Sequence, residues 1–106
     1  MRALIRHIQV LVVATAGLAG PCAMAADADH GSDLVKRWCA ACHVVDADQK
    51  QASTDAPPFV AIARKTDFTA EKVAFFLLDP HPKMPNFPLS RSESADIAAY
   101  IGTLRK

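Results

Sequence analysis

Charge of one sign is the first thing this chain lacks. It carries 12 Lys+Arg against 11 Asp+Glu over 106 residues, a formal net charge of +1. Nucleic-acid binding normally rests on a strong basic excess, and a disordered tail on a strong excess of either sign, so neither class is supported. Glycine is scarce as well, four residues beside seven prolines, which excludes collagen-like and low-complexity chains. There is no apolar/polar alternation, no hairpin signal and no internal repeat, so the expectation is a helical chain without β-structure. The length allows one small domain, since domains typically run to roughly 100–150 residues. Cysteine is rare and odd in number: three, which would leave a thiol over in an exported protein.

Long apolar runs are missing beyond the first 25 residues. Within that stretch, Arg2 and Arg6 form a positive start and Val10 to Ala19 a short apolar run. Gly20-Pro21 breaks it, and Ala23-Met24-Ala25 supplies small residues for cleavage. This order describes a secretory signal peptide over residues 1–25, cut before Ala26. The run is shorter than the roughly 20 residues that span a bilayer, which argues against an anchor. Lipid attachment at Cys22 is disfavoured because Pro21 separates it from the small residues ahead. The domain expected to fold is therefore 26–106, in the periplasm, without stable membrane insertion. Removing Arg2 and Arg6 takes the net charge from +1 to −1. Cys22, Met1 and Met24 leave too, so Cys39, Cys42 and Met84 are the only sulfur residues remaining. So short a chain needs a disulfide, metal or cofactor to complete its core.

Along 26–106 the pattern predicts four short helices. Residues 26–30 are polar and read as frayed. Leu34, Val35 and Trp38 share one face of a helix capped by Ser32 or Asp33. Residues 46–58 form a loop ending in Pro57-Pro58, and Phe59, Ile62 and Ala63 a brief helix ending near Lys65. A third helix starts from Thr69 as N-cap, with Glu71 in its first turn, and stops at Pro80. Prolines 80, 82, 85 and 88 stiffen an extended loop. Ser90-Arg91-Ser92-Glu93 is a capping box opening a last helix, whose stripe is Ile97, Tyr100, Ile101 and Leu104.

Cys39-Ala40-Ala41-Cys42-His43 carries the chemistry. C-x-x-C-H is the signature of covalent haem attachment: two thiols add across two vinyl groups, and the next histidine lies under the iron. A thioredoxin-like dithiol would follow a strand, whereas this motif follows a helical pattern. A structural zinc site needs four ligands, and residues 26–106 offer two cysteines with His30, His43 and His81. A plain disulfide leaves His43 without a purpose.

With these residues the chain resembles a small bacterial class I cytochrome c. The likeness rests on Gly31-Ser32-Asp33-Leu34 before the motif, Pro82-Lys83-Met84-Pro85-Asn86-Phe87 in the loop, and Ala98-Ala99-Tyr100-Ile101 in the last helix. The resemblance implies an all-α cytochrome c fold around one covalent haem c. It also implies that Gly31 lets the terminal helices cross closely near Tyr100, and that Pro57 or Pro58 offers a carbonyl to the second ring nitrogen of His43. Where the family often has Gly-Pro-x-Leu, this chain has Ala56-Pro57-Pro58-Phe59.

Met84 is the expected sixth ligand opposite His43. A thioether favours ferrous iron and raises the potential, and flanking prolines hold the loop at little entropic cost. His81 in the same loop is the rival, and a bis-histidine haem would have a lower potential. His30 is expected to be idle, and Lys83 solvated unless it displaces Met84 at high pH. Trp38, Phe59, Phe68, Phe75, Phe76, Phe87 and Tyr100 are read as packing and as walls for a flat apolar ligand.

These readings converge on a monomeric one-electron carrier that is not an enzyme and meets redox protein partners transiently. Lys36, Arg37, Lys50 and Lys83 are candidates for a local basic rim. Two alternatives stand beside it. One is a haem subunit held permanently in a dehydrogenase or oxidase complex; the other is a ligand-binding haem sensor or peroxidase.

Overall fold

The computed structural model describes residues 17, 25–53, 55–80 and 82–106, so the leader, Cys22 and His81 readings lie outside the described residues. Four helices follow in order: α1 (Ala28–Trp38), α2 (Phe59–Ala63), α3 (Ala70–Leu78) and α4 (Arg91–Thr103). No strand occurs among the described residues. Helix α4 is the hub, packing against α1, α3 and α2.

Helix α1 begins earlier than its apolar pattern implied. Asp27, not Ser32 or Asp33, is the N-cap, and its carboxylate accepts from His30 N–H at 3.0 Å. Asp29 in the first turn and Lys36 and Arg37 in the last complement the helix dipole. Residues 28–30 are therefore helical rather than frayed. The reason is tertiary: Asp27 N–H donates to Asp96 on α4 at 2.7 Å, and the His30 ring meets the other oxygen of Asp96 at 2.7 Å. A residue read as idle thus ties the two terminal helices together.

The crossing itself is made by Gly31, which is buried. A methyl group there would overlap the Asp96 carbonyl and stand 2.9 Å from Ile97 N. The close approach is therefore to Asp96 and Ile97, one turn before the expected Tyr100. It brings Val35, Ile97 and Ile101 fully into the core with Val45. Burial of each such side chain stabilises the fold by about 1.5–3 kcal/mol.

The other helices start where the capping signals lie. Thr69 caps α3, accepting from Lys72 N–H at 3.2 Å, and Asp79 ends it before Pro80. Ser90 and Glu93 form both halves of the capping box of α4. The α4 stripe is buried at Ile97 and Ile101 but half-buried at Tyr100 and Leu104; Ser94 and Ala98 complete the buried face. No helix among the described residues is long and apolar enough to cross a membrane.

Candidate haem site

Helix α1 runs directly into the C-x-x-C-H turn, with Cys39 as its C-cap. Helical bonding continues in modified form. Cys39 N–H and Ala40 N–H both reach Val35 O, at 2.9 and 3.0 Å, and Cys42 N–H and His43 N–H both reach Cys39 O, at 3.1 and 2.9 Å. One turn of this kind sets residues three and four apart on a common side. Cys39, Cys42 and His43 accordingly line the same cavity.

That cavity measures about 830 Å³, inside the span of roughly 300–1,000 Å³ usual for cofactor sites. Met84 lines it from the proline loop, half-buried and packed against the core. Four sequence-predicted site residues, from two segments some forty positions apart, thus meet at one cavity. Trp38, Phe59, Phe68, Phe76 and Phe87 are among its walls. Of these, Trp38 is 41% and Phe76 42% exposed, large apolar side chains at the cavity wall that a flat macrocycle could contact. These residues fit haem in shape and chemistry. One aromatic behaves otherwise than expected: Phe75 is 77% exposed on the outside of α3, whereas Tyr100 packs against the core and also donates a hydrogen bond to Val45 O at 2.6 Å.

The choice between the two prolines is made by the loop: His43 Nδ1 lies 2.7 Å from Pro57 O. A carbonyl only accepts, so Nδ1 carries the hydrogen. Nε2 of the neutral ring then keeps its lone pair, the state a metal ligand requires. Phe59 N–H bonds to Val44 O at 2.9 Å and holds this loop against the motif, and the Phe59 ring lies 5.0 Å from that of His43.

Burial, with Cys42 beside it, pushes the Cys39 thiol up to about 11. Redox-active C-x-x-C pairs need the opposite shift, toward thiolate at neutral pH. A buried thiol held in its protonated form is a poor match for dithiol exchange.

Lys83 lines the cavity beside Met84, as do Lys65 and Lys72, whereas Lys36, Arg37 and Lys50 do not. Lys65 and Lys72 escaped sequence reasoning because isolated lysines carry no periodic signal. Gln49 escaped it too. Its carboxamide bonds to Ala40 O and His43 O within the motif, and no spacing rule marks such a residue.

A helical wrap around a cavity with this turn at one wall defines the class of small monohaem c-type cytochromes, electron carriers with covalently bound haem c. Comparison with known proteins agrees. Residues 26–101 match the family described as cytochrome c oxidase, cbb3-type, subunit III, and the chain belongs to that family. It is 69% identical over 83 residues to cytochrome c-552 of Bradyrhizobium diazoefficiens, covering 78% of this chain and 80% of the relative. No solved structure matches it.

Proposed function

We propose that Cys39 and Cys42 carry the two thioethers, that His43 and Met84 are the axial ligands, and that the chain from Ala26 onward works in the periplasm. There it passes single electrons between redox proteins, as a monomer that docks transiently and performs no catalysis on a substrate. The observation that carries this reading is the bond from His43 Nδ1 to Pro57 O, which turns Nε2 into the free donor of a cavity shared with both cysteines and Met84. Haem c supplies a one-electron ferric/ferrous couple when bound. The protein's part is to orient His43, to hold Met84 between Pro82 and Pro85, and to surround the iron with apolar walls. With the sixth position filled by sulfur, oxygen or peroxide has no open site, which separates a carrier from a peroxidase or ligand sensor.

The test is the optical spectrum. Met84→Ala should abolish the ferric sulfur–iron charge-transfer band and allow carbon monoxide to bind ferrous protein, while His81→Ala should leave the band in place. A band that survives in Met84→Ala refutes the assignment.

A second reading, a permanent subunit of an oxidase or dehydrogenase complex, is favoured by one feature. Helix α3 presents Phe75 (77% exposed) and Leu78 (39% exposed), three residues apart on one face. Gel filtration of a native extract separates the two, since a permanent subunit elutes far above monomer size.

A further inference from the structure

We infer that Gln49 is the positioning residue that pre-forms the haem-attachment turn. The inference rests on the assignment of Cys39, Cys42 and His43 made above. Gln49 lies ten residues beyond Cys39 in a polar loop, yet its side chain folds back into the motif. Its Oε1 accepts from Val45 N–H at 2.9 Å. Its Nε2 donates to Ala40 O at 2.7 Å, to His43 O at 2.8 Å and to Gln51 O at 3.1 Å. Two N–H groups serve three carbonyls, and the longest contact is the shared one. The orientation of the amide follows from the partners: turned over, its oxygen would face three carbonyl oxygens.

The turn needs such a partner because its backbone leaves the helix while still half-enclosed. Buried carbonyls must be satisfied somewhere. Cys39 O accepts from within the turn, Ala41 O from Ser53, Val44 O from Phe59 and Val45 O from Tyr100. Ala40 O and His43 O are served by Gln49. The donor is itself held in place, since Asp46 Oδ1 accepts from both Asp48 N–H and Gln49 N–H at 2.9 Å. His43 is thereby fixed twice, at its ring by Pro57 and at its backbone by Gln49. Cys39 is fixed by burial, but Cys42 is only half-buried and depends on the turn.

In forming the thioethers each thiol adds S–H across a vinyl C=C, sulfur to the carbon beside the ring and hydrogen to the terminal carbon, with no net oxidation or reduction. Both additions require Cys39 and Cys42 to be correctly spaced at once. Loosening the turn should therefore spare Cys39 and impair Cys42.

The test uses the full chain, exported from a host that attaches haem. Gln49→Glu keeps the shape and the acceptor but loses both side-chain donors, and Gln49→Met loses every side-chain hydrogen bond while keeping the backbone bond to Asp46. Both should raise the fraction of protein with one unsaturated vinyl several-fold, read as a red-shifted haemochrome band and by mass after mild acid extraction. Tyr100→Phe, which leaves the Ala40 and His43 carbonyls untouched, should retain two thioethers. Stability loss alone is removed as a cause by repeating Gln49→Glu in a Gly102→Ala background. Restoration of double attachment by that stabilising change, or normal double attachment in both Gln49 variants, overturns the inference. Unaltered protein without acid-stable haem would instead overturn the attachment reading itself.

Discussion

Two glycine-to-alanine substitutions in this protein should have opposite signs. Alanine is favoured over glycine in a helix interior by about 0.8–1.0 kcal/mol, and both Gly31 and Gly102 are helical, so propensity alone predicts two stabilised variants. Space decides otherwise at Gly31. A methyl group there overlaps the Asp96 carbonyl and lies 2.9 Å from Ile97 N, and both obstacles are backbone that cannot rotate aside. Helices α1 and α4 must separate. Overpacking of this kind costs about 1–3 kcal/mol, with the upper end expected where backbone meets backbone. Separation also stretches the bonds from Asp27 N–H and His30 to Asp96. Losing one of these costs about 1 kcal/mol more. After the propensity gain, Gly31→Ala should lose about 3 kcal/mol. At about 4–8 °C per kcal/mol for a domain of this size, Tm should fall by about 12–24 °C. At Gly102 a methyl group meets only the Phe68 ring, at 3.7 Å, an ordinary contact. Gly102→Ala should gain up to about 1 kcal/mol. Thermal unfolding of the ferric holoprotein, followed by helical circular dichroism, checks both. Equal stabilisation of the two variants would refute the close-crossing argument.

Ser94 is fully buried, and its hydroxyl has no hydrogen-bond partner among the described residues. Ser94→Ala should therefore stabilise the fold by about 1 kcal/mol, and a loss of stability in urea titration would show that the hydroxyl has a partner. Tyr100→Phe removes the 2.6 Å bond to Val45 O and should cost about 1 kcal/mol in the same assay. The His30–Asp96 pair should give a pH signature. The hydrogen bond to Asp96 outweighs the opposing desolvation and, with the charges of Asp96, Asp27 and Glu93, holds His30 above its ordinary 6.5, so its contribution is complete below 6.5 and fades as pH rises through the elevated value. For Asp96, burial pulls upward but is outweighed by the bonds from His30 and Asp27, leaving it below 3.8. Its contribution is complete above 3.8 and fades as pH falls through the lowered value. The stability of the natural chain minus that of His30→Gln should peak between about pH 4 and 6.5, and a flat difference curve would show that the pair does not couple to folding.

Much of the site was legible because its signals are local. The attachment motif is five consecutive residues, and Met84 stands out as the only methionine beyond position 24, in a frame of prolines. The starts of α3 and α4 were legible for the same reason, since Thr69 and the Ser90–Glu93 box act on N–H groups three residues away. The start of α1 was misplaced by several residues. Its cap, Asp27, is supported by Asp96, sixty-nine positions later, and no window along the chain contains both. Phe75 was misjudged on similar grounds: α3 is apolar nearly all round, so periodicity could not say which ring faces outward.

By itself, then, the sequence determined that this is a helical, haem-attaching chain with His43 and Met84 as candidate ligands, because motif, caps and proline frame are encoded in short runs of neighbours. Tertiary structure alone decided which proline supports His43, which glycine contact brings the terminal helices together, and that Gln49 and His30 matter. Those outcomes depend on which backbone carbonyls and carboxylates come within hydrogen-bond distance once the chain has folded, and sequence spacing does not encode that distance.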